Sequence, residues 1–314
     1  MKVVFMGTPD FALPALRALV EKQYRVAAVV TRPDRAGGRG KKFHPPPVKV
    51  YAARAGITVL QPEKLGHQDF IGILEELGPD VVVVAAFGQI LPPAVLSLPP
   101  YGCINVHASL LPAYRGAAPI HRAVINGETK TGVTIMQMDD GLDTGAIIVQ
   151  KEVLINPDDT TGMVHDRLAE SGGKLVIEAL DMLSAGTAHP APQDHNLSSY
   201  ARMLALEDEI INWQRDALSI KNQVRGLNPW PGARTKMRDK LLKIWRVSVV
   251  ERGEAKPGSE PGRVLGAGAR DGIIVQTGRG VLSIEELQLQ GKSRMSAAAF
   301  LRGNTLIPGT VLGD

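Results

Sequence analysis

Residues 2–31 run KVVFMGTPDFALPALRALVEKQYRVAAVVT. Lys2–Met6 is a short apolar run that ends at the turn signal Gly7-Thr8-Pro9-Asp10. Apolar residues then recur at helical spacing, at Phe11, Leu13, Leu16, Leu19 and Val20. Arg25–Thr31 is a second apolar run. Strand, turn, helix and strand in this order open an α/β sheet with parallel strands. Parallel strands covered on both faces are continuously apolar, and Asp80–Ala86 (DVVVVAA) and Gly102–Val106 (GCINV) fit that description.

The same patterning predicts helices over Val48–Ala55, Gln68–Leu77 and Thr160–Leu183. It predicts strands over Thr131–Met138 and Ala146–Leu154, joined by the turn Asp139–Gly145. Arg32–Pro47, with Gly37, Gly38, Gly40 and three consecutive prolines, has the composition of a long functional loop. Residues 185–200, AGTAHPAPQDHNLSSY, are small, polar and proline-containing, as a connector would be. A helix over Ser219–Leu227 follows, then short strand-like runs at Leu241–Val250, Arg263–Leu265, Gly272–Gln276 and Val281–Leu289. Their spacing suggests a small β-barrel or sandwich.

A chain of 314 residues, 44% hydrophobic and 22% charged, is globular and has room for two domains, which excludes a disordered or fibrous protein. Cys103 is the lone cysteine, so no intrachain disulfide forms and nothing points to secretion. Val81–Val106 carries no charge over a membrane-spanning length. Gly88, Pro92, Pro93, Pro99 and Pro100 break it, so it reads as two buried strands with loops between them. The expectation is a cytoplasmic protein with no membrane partner. Basic residues concentrate in two places. Arg32–Lys49 holds six against Asp34, and Arg234–Arg246 holds six against Asp239. Residues 1–204 balance 19 Lys and Arg against 20 Asp and Glu, whereas 205–314 carry 17 against 12. A solvated surface would account for this, and so would a polyanionic partner.

The first turn stands where dinucleotide-binding proteins have G-x-G-x-x-G, but Pro9 occupies the second glycine position and blocks close approach of a pyrophosphate. No P-loop, C-x-x-C or H-E-x-x-H is present, and none of the seven histidines pairs with a cysteine at ligand spacing, so no metal is expected. The chemistry concentrates in Cys103–Pro112, CINVHASLLP. Asn105 and His107 are two apart at a strand end and share a face. The carboxyl edge of a parallel sheet is where open α/β folds bind ligands. An amide beside an imidazole can hold a developing oxyanion and move a proton; alternatively, His107 is a strand-end histidine satisfied by a backbone group. Asp143, in the turn DDGLDTG, would favour the imidazolium and orient the ring if the fold brought it close.

These segments together resemble the methionyl-tRNA formyltransferases. The resemblance is carried by Phe5–Ala12 (FMGTPDFA), Thr31–Lys42 (TRPDRAGGRGKK), Ala85–Pro92 (AAFGQILP), Cys103–Ile120 (CINVHASLLPAYRGAAPI), Thr131–Ile148 (TGVTIMQMDDGLDTGAII) and Gly226–Ala233 (GLNPWPGA). It implies a Rossmann-like, mostly parallel sheet with helices on both faces over residues 1–188, and a linker over 189–206. A small open, OB-like β-barrel that binds tRNA would fill 207–314. It implies transfer of the formyl group of 10-formyltetrahydrofolate to the α-amine of methionyl initiator tRNA, with no metal, by a monomer. The catalytic residues would be Asn105, His107 and Asp143. Folate would meet Ser109, Leu110, Leu111 and Pro112, with Phe87, Gly88, Gln89, Ile90, Leu91, Asp139, Asp140 and Leu142 as further walls. Arg35, Arg39, Lys41 and Lys42, and in the C-terminal part Arg234, Lys236, Arg238 and Lys240, would touch tRNA. Another folate-dependent formyltransferase or hydrolase, or a non-catalytic RNA-binding protein that kept the fold, are the alternatives; the basic C-terminal part argues against the first and the intact trio against the second.

Overall fold

The computed structural model describes residues 1–37, 42–250, 260–268 and 270–313, with the backbone alone described for 35–37, 42 and 43. Two compact units interleave in the sequence. Met1–Pro119, Lys130–Leu154 and His165–Ala201 form the first; Ile120–Thr129, Ile155–Val164 and Arg202–Asp314 form the second.

The strands of the first unit are β1 (Lys2–Gly7), β2 (Arg25–Val30), β3 (Arg35–Gly37), β4 (Lys42–His44), β5 (Val59–Leu60), β6 (Val81–Ala85), β7 (Cys103–His107), β8 (Lys130–Gln137) and β9 (Ile147–Leu154). Seven of them make one sheet in the order β5-β2-β1-β6-β7-β8-β9. Pairing is parallel from β5 to β7 and antiparallel across β7-β8 and β8-β9. The chain fills one side of β1 with β2 and β5, then crosses to the other side at β6. That reversal opens a crevice at the carboxyl ends of β1 and β6, next to β7. β3 and β4 form a separate antiparallel pair inside the segment whose composition predicts loop.

The helices up to residue 184 are α1 (Leu13–Glu21), α2 (Pro47–Arg54), α3 (Gln68–Leu77), α4 (Pro93–Leu96), α5 (Pro119–Ile125) and α6 (Thr161–Ser184); α5 beyond Pro119 and the first turn of α6 fall in the second unit. One sheet face buries Val4, Met6, Val82, Val84 and Cys103 in a cluster with Phe70, Ile71 and Leu74 of α3 and Val95 of α4. On the other face, Val3, Phe5, Ile104 and Val106 are equally buried. There α6 lies close: a Cβ on Gly172 would stand 2.8 Å from a methyl of Val106, and one on Gly173 would stand 2.8 Å from the Pro14 carbonyl of α1. Two mid-helix glycines cost helix propensity, on the order of 1 kcal/mol each; here they permit contact that any side chain would block. Gly7 ends β1 for a similar reason, its hydrogen facing Ala12 and the Ala85 carbonyl.

The second unit carries α7 (Leu206–Glu209), α8 (Ala217–Gly226), β10 (Ala233–Met237), β11 (Lys240–Val249), β12 (Val264–Gly268), β13 (Gly272–Gln276), β14 (Val281–Leu289), β15 (Met295–Ser296) and α9 (Ala297–Gly303). Its antiparallel sheet follows the open path β10-β11-β14-β13-β12, with β15 on β14. Ile220 and Val224 of α8, Phe300 of α9 and Trp213 share one core with Leu242, Ile244, Ile284 and Leu287. No helix among the described residues is long and apolar enough to cross a membrane, and the uncharged Val81–Val106 stretch contains β6, α4 and β7.

Candidate active site

β7 alternates. Val106 meets α6 at Gly172, while Cys103 belongs to the α3–α4 face, so Asn105 and His107 share that second face. Cys103 is buried at the strand's start, where desolvation pushes its thiol up to about 12; it packs as a small apolar residue. His107 is 6% exposed. Its Nε2 stands 3.0 Å from the carbonyl oxygen of Tyr114. A carbonyl only accepts, so Nε2 carries a proton. Its Nδ1 faces a carboxylate oxygen of Asp143 at 3.6 Å. One nitrogen of this histidine is thus on the backbone and the other is turned to an acid 36 positions away in sequence. Asn105 is only partly covered, and its amide finds no partner among the described residues.

Asp143 takes a left-handed backbone, with φ +54°. Side chains rarely adopt that region, and such conformations gather at functional sites. Its carboxylate also accepts the Gly116 N–H at 2.8 Å. The turn around it is built by Asp139, whose carboxylate accepts from the Gly141 N–H (3.1 Å) and the Thr144 hydroxyl (2.7 Å). Gly145 closes it against β8: a Cβ there would lie 1.7 Å from the Gln137 carbonyl oxygen.

The Ser109–Pro112 segment is anchored from below. The Thr134 hydroxyl donates to the Ser109 carbonyl (2.7 Å) and accepts the Leu111 N–H (3.1 Å). Gln150 donates to the Leu111 carbonyl and to the Thr134 oxygen, both at 2.8 Å. Ser109 is fully buried and gives its hydroxyl to the Ala113 carbonyl at 2.6 Å, so its side chain shapes the loop. Phe87 and Leu91 turn inward to the core cluster, against which Met138 also packs. Ile90 is 86% and Leu142 54% exposed, and Asp140 is exposed.

The basic residues separate. Arg39 and Lys41 lie outside the described residues, and Arg35 and Lys42 are described by backbone only, on β3 and β4. Lys236, Arg238 and Lys240 are exposed around the β10–β11 turn. Arg234 is three-quarters buried and turned to Glu209 at 3.5 Å. Trp213 is in the core, with its indole N–H on Thr235. Trp245 is buried between Lys243 and Arg294, and Trp230 is 45% exposed beside His121.

The composition of residues 185–200 hides their contribution. Ala191 pairs with Ile147, and Arg115 exchanges backbone hydrogen bonds with Ser199 and Ala201. Residues up to Ala201 are thus bound into the first unit, where the sequence predicts a linker. No cluster of three His, Cys, Asp or Glu able to hold a metal ion occurs among the described residues.

A mostly parallel sheet with flanking helices, together with a separate antiparallel sheet domain, is a fold shared with formyl transferases. The formyl transferase family model matches residues 1–180, and the model for the C-terminal domain of formyl transferases matches 203–305. The methionyl-tRNA formyltransferase of Pelotomaculum thermopropionicum is 55% identical over 314 residues, covering 100% of this chain and 99% of its own. That of Desulforamulus reducens is 51% identical, covering 100% and 98%. The chain belongs to the methionyl-tRNA formyltransferase family. Among solved structures, WlaRD, a sugar 3N-formyl transferase crystallised in the presence of dTDP and 5-N-formyl-THF, shares the fold with a TM-score of 0.67 at 18% identity, covering 93% of this chain and 99% of its own.

Proposed function

We propose that the chain transfers the formyl group of 10-formyltetrahydrofolate to the α-amine of methionyl initiator tRNA, with Asn105, His107 and Asp143 as the catalytic residues. The observation that carries this reading is the convergence of Asp143 and His107 at 3.6 Å, with His107 on the strand that carries Asn105, whose amide has no partner among the described residues, at the carboxyl edge of the sheet. The amine attacks the formyl carbon, forming a C–N bond and an oxyanion. Asn105 is a donor for that oxygen, and His107 joins it by turning its Nε2 proton from the Tyr114 carbonyl to the oxyanion, in a site where fixed dipoles need little reorganisation. The amine loses a proton toward His107 and Asp143, directly or through water. The bond from the formyl carbon to the folate nitrogen then breaks, that nitrogen takes a proton, and the carbonyl re-forms as the formamide.

Folate is assigned to Ser109–Pro112 and to the wall formed by residues 87–91, Asp139, Asp140 and Leu142. Ile90 and Leu142 offer exposed apolar surface; Phe87 and Leu91 act from beneath, by holding the loop. The Arg35–Lys42 segment, together with Lys236, Arg238 and Lys240, is assigned to tRNA phosphates. Residues 1–188 then carry the chemistry and 207–314 backbone recognition, as a cytoplasmic monomer that needs no metal.

The test is to mix the purified protein with 10-formyltetrahydrofolate and methionine-charged initiator tRNA and to follow N-formylmethionine after ester hydrolysis. Transfer that His107→Ala and Asp143→Ala abolish, with tRNA binding retained, supports the reading. Folate hydrolysis or formylation of another amine in place of transfer overturns the acceptor; near-normal turnover by either variant overturns the residue roles.

A further inference from the structure

Asp143 is gripped from two sides. Its carboxylate accepts the Gly116 N–H at 2.8 Å. Its backbone carbonyl accepts from the side-chain amide nitrogen of Gln193 at 2.9 Å, and the same nitrogen donates to the Gly145 carbonyl at 2.8 Å. Both amide hydrogens are therefore spent on the turn that carries the acid. The Gln193 oxygen accepts from Arg115 Nε at 3.1 Å and from its terminal nitrogen at 2.7 Å. The chemistry fixes the orientation of this amide: carbonyls only accept and a guanidinium only donates, so a flipped Gln193 would lose all four contacts.

Gln193 is 6% and Arg115 9% exposed. Arg115 makes no ion pair with a carboxylate among the described residues; its remaining side-chain contact is His195 Nδ1 at 3.2 Å. A buried cation is costly unless its donors are satisfied, so the pair is built for something more than packing. Arg115 itself is held by backbone bonds to Ser199 and Ala201 at 2.8 and 2.7 Å, and the next residue is Gly116. One short segment thus supplies the donor to the Asp143 carboxylate and the tether for the amide that holds its carbonyl.

We propose that Gln193, tethered by Arg115, is a positioning residue of the transfer site: it holds Asp143 in its left-handed conformation and so aims the carboxylate at His107. This rests on the reading of His107 and Asp143 as the transfer pair. Gln193 touches neither His107 nor any reacting atom; it acts through the Asp143 backbone.

Gln193→Glu keeps an acceptor for Arg115 but removes both donors and sets a carboxylate against two carbonyls. The experiment compares Gln193→Glu, Asp143→Asn and the double variant, each as the full chain, by single-turnover formyl transfer at saturating folate and charged tRNA, with melting midpoints alongside. The expected loss for Gln193→Glu is 10- to 100-fold in rate, with the KM for each substrate within twofold, as for other residues that orient a reacting group. The double variant should be no slower than Asp143→Asn alone, because two residues acting through one carboxylate are not additive. Where the glutamate variant melts early, Gln193→Asn, which keeps donor and acceptor one methylene short, enters the same cycle. A folded Gln193 variant within twofold of wild type overturns the proposal, as does a double variant whose loss is the product of the single losses. A wild-type rate in Asp143→Asn overturns the transfer-pair reading itself, and this proposal with it.

Discussion

At the residue scale, Asn105 is set apart by having nothing to hold. Its neighbours on β7 are buried, yet Asn105 is partly exposed and its amide has no partner among the described residues. Asn105→Ala should therefore leave stability within about 0.5 kcal/mol of wild type. It should lower kcat by roughly 100- to 1000-fold, the usual loss for an oxyanion donor. Thermal melting beside steady-state kinetics checks both; a large drop in melting midpoint with intact kcat would make Asn105 structural. Asn105 and His107 were legible in the sequence because a strand's period of two forces them to one face. Asp143 was legible only as a carboxylate in a turn, since its approach to His107 depends on β7 and β8 lying side by side. Thr134 and Arg115 stand in the motifs that carry the resemblance but without a role there, and Gln150 and Gln193 are not legible as parts of the site. Each looks like an ordinary strand, loop or connector residue until the chain folds back, and no local pattern marks a hydrogen bond to a distant backbone.

At the scale of elements, the glycines of two helices behave oppositely. Gly72 lies inside α3 with nothing within 4 Å of where a Cβ would stand. Gly72→Ala should stabilise the protein by about 0.5–1 kcal/mol through helix propensity and a less flexible unfolded chain. Gly172→Ala gains the same propensity but drives a methyl to 2.8 Å from Val106. It should destabilise by about 1–3 kcal/mol, the usual cost of overpacking a core. Urea unfolding of the two variants gives both signs, and a stabilised Gly172→Ala would refute the close helix–sheet contact. The long regular elements follow from their patterns: β13 and β14 coincide with the predicted runs, and α3 does so residue for residue. β10 was not foreseen. Its inward residues are Ala233 and Thr235 and its outward ones Arg234 and Lys236, so little apolar signal remains. α9, AAAFLRG, is short and buries mainly Ala297 and Phe300, too few for a periodicity to show.

Two predictions concern the molecule as a whole. Asp208 is held to about 2 by the hydrogen-bonded Arg122 guanidinium first, with the Ala205 N–H and the charge of Arg202 assisting. Its native value lies below the ordinary 3.8, so it contributes stability above pH 4 that disappears as pH falls from about 4 toward 2. That contribution is on the order of 2 kcal/mol. Asp208→Asn should flatten this part of the unfolding profile between pH 5 and 2.5; an unchanged profile would remove Asp208 from the acid response. The second concerns tRNA. Replacing Lys236, Arg238 and Lys240 together with alanine should raise the KM for charged tRNA and reduce its dependence on salt, with the folate KM unchanged. Arg234→Ala, which breaks the contact with Glu209, should act more on stability. Equal loss toward both substrates in the triple variant would count against a phosphate-binding face.

By itself, the sequence determined the α/β order of the first unit, four strands (β11 to β14) and the helix α8 of the second, the family, and the pair Asn105–His107, because periodicity and contiguous motifs are local properties of a chain. Only the tertiary structure decided that Asp143 meets His107, that Thr134 and Gln150 anchor the Ser109–Leu111 segment, and that the supposed connector delivers Gln193 to the acid's backbone. Those contacts join residues 16 to 50 positions apart, and their energies come from groups that burial has stripped of water. Nothing in a local pattern records which buried donor will find which acceptor.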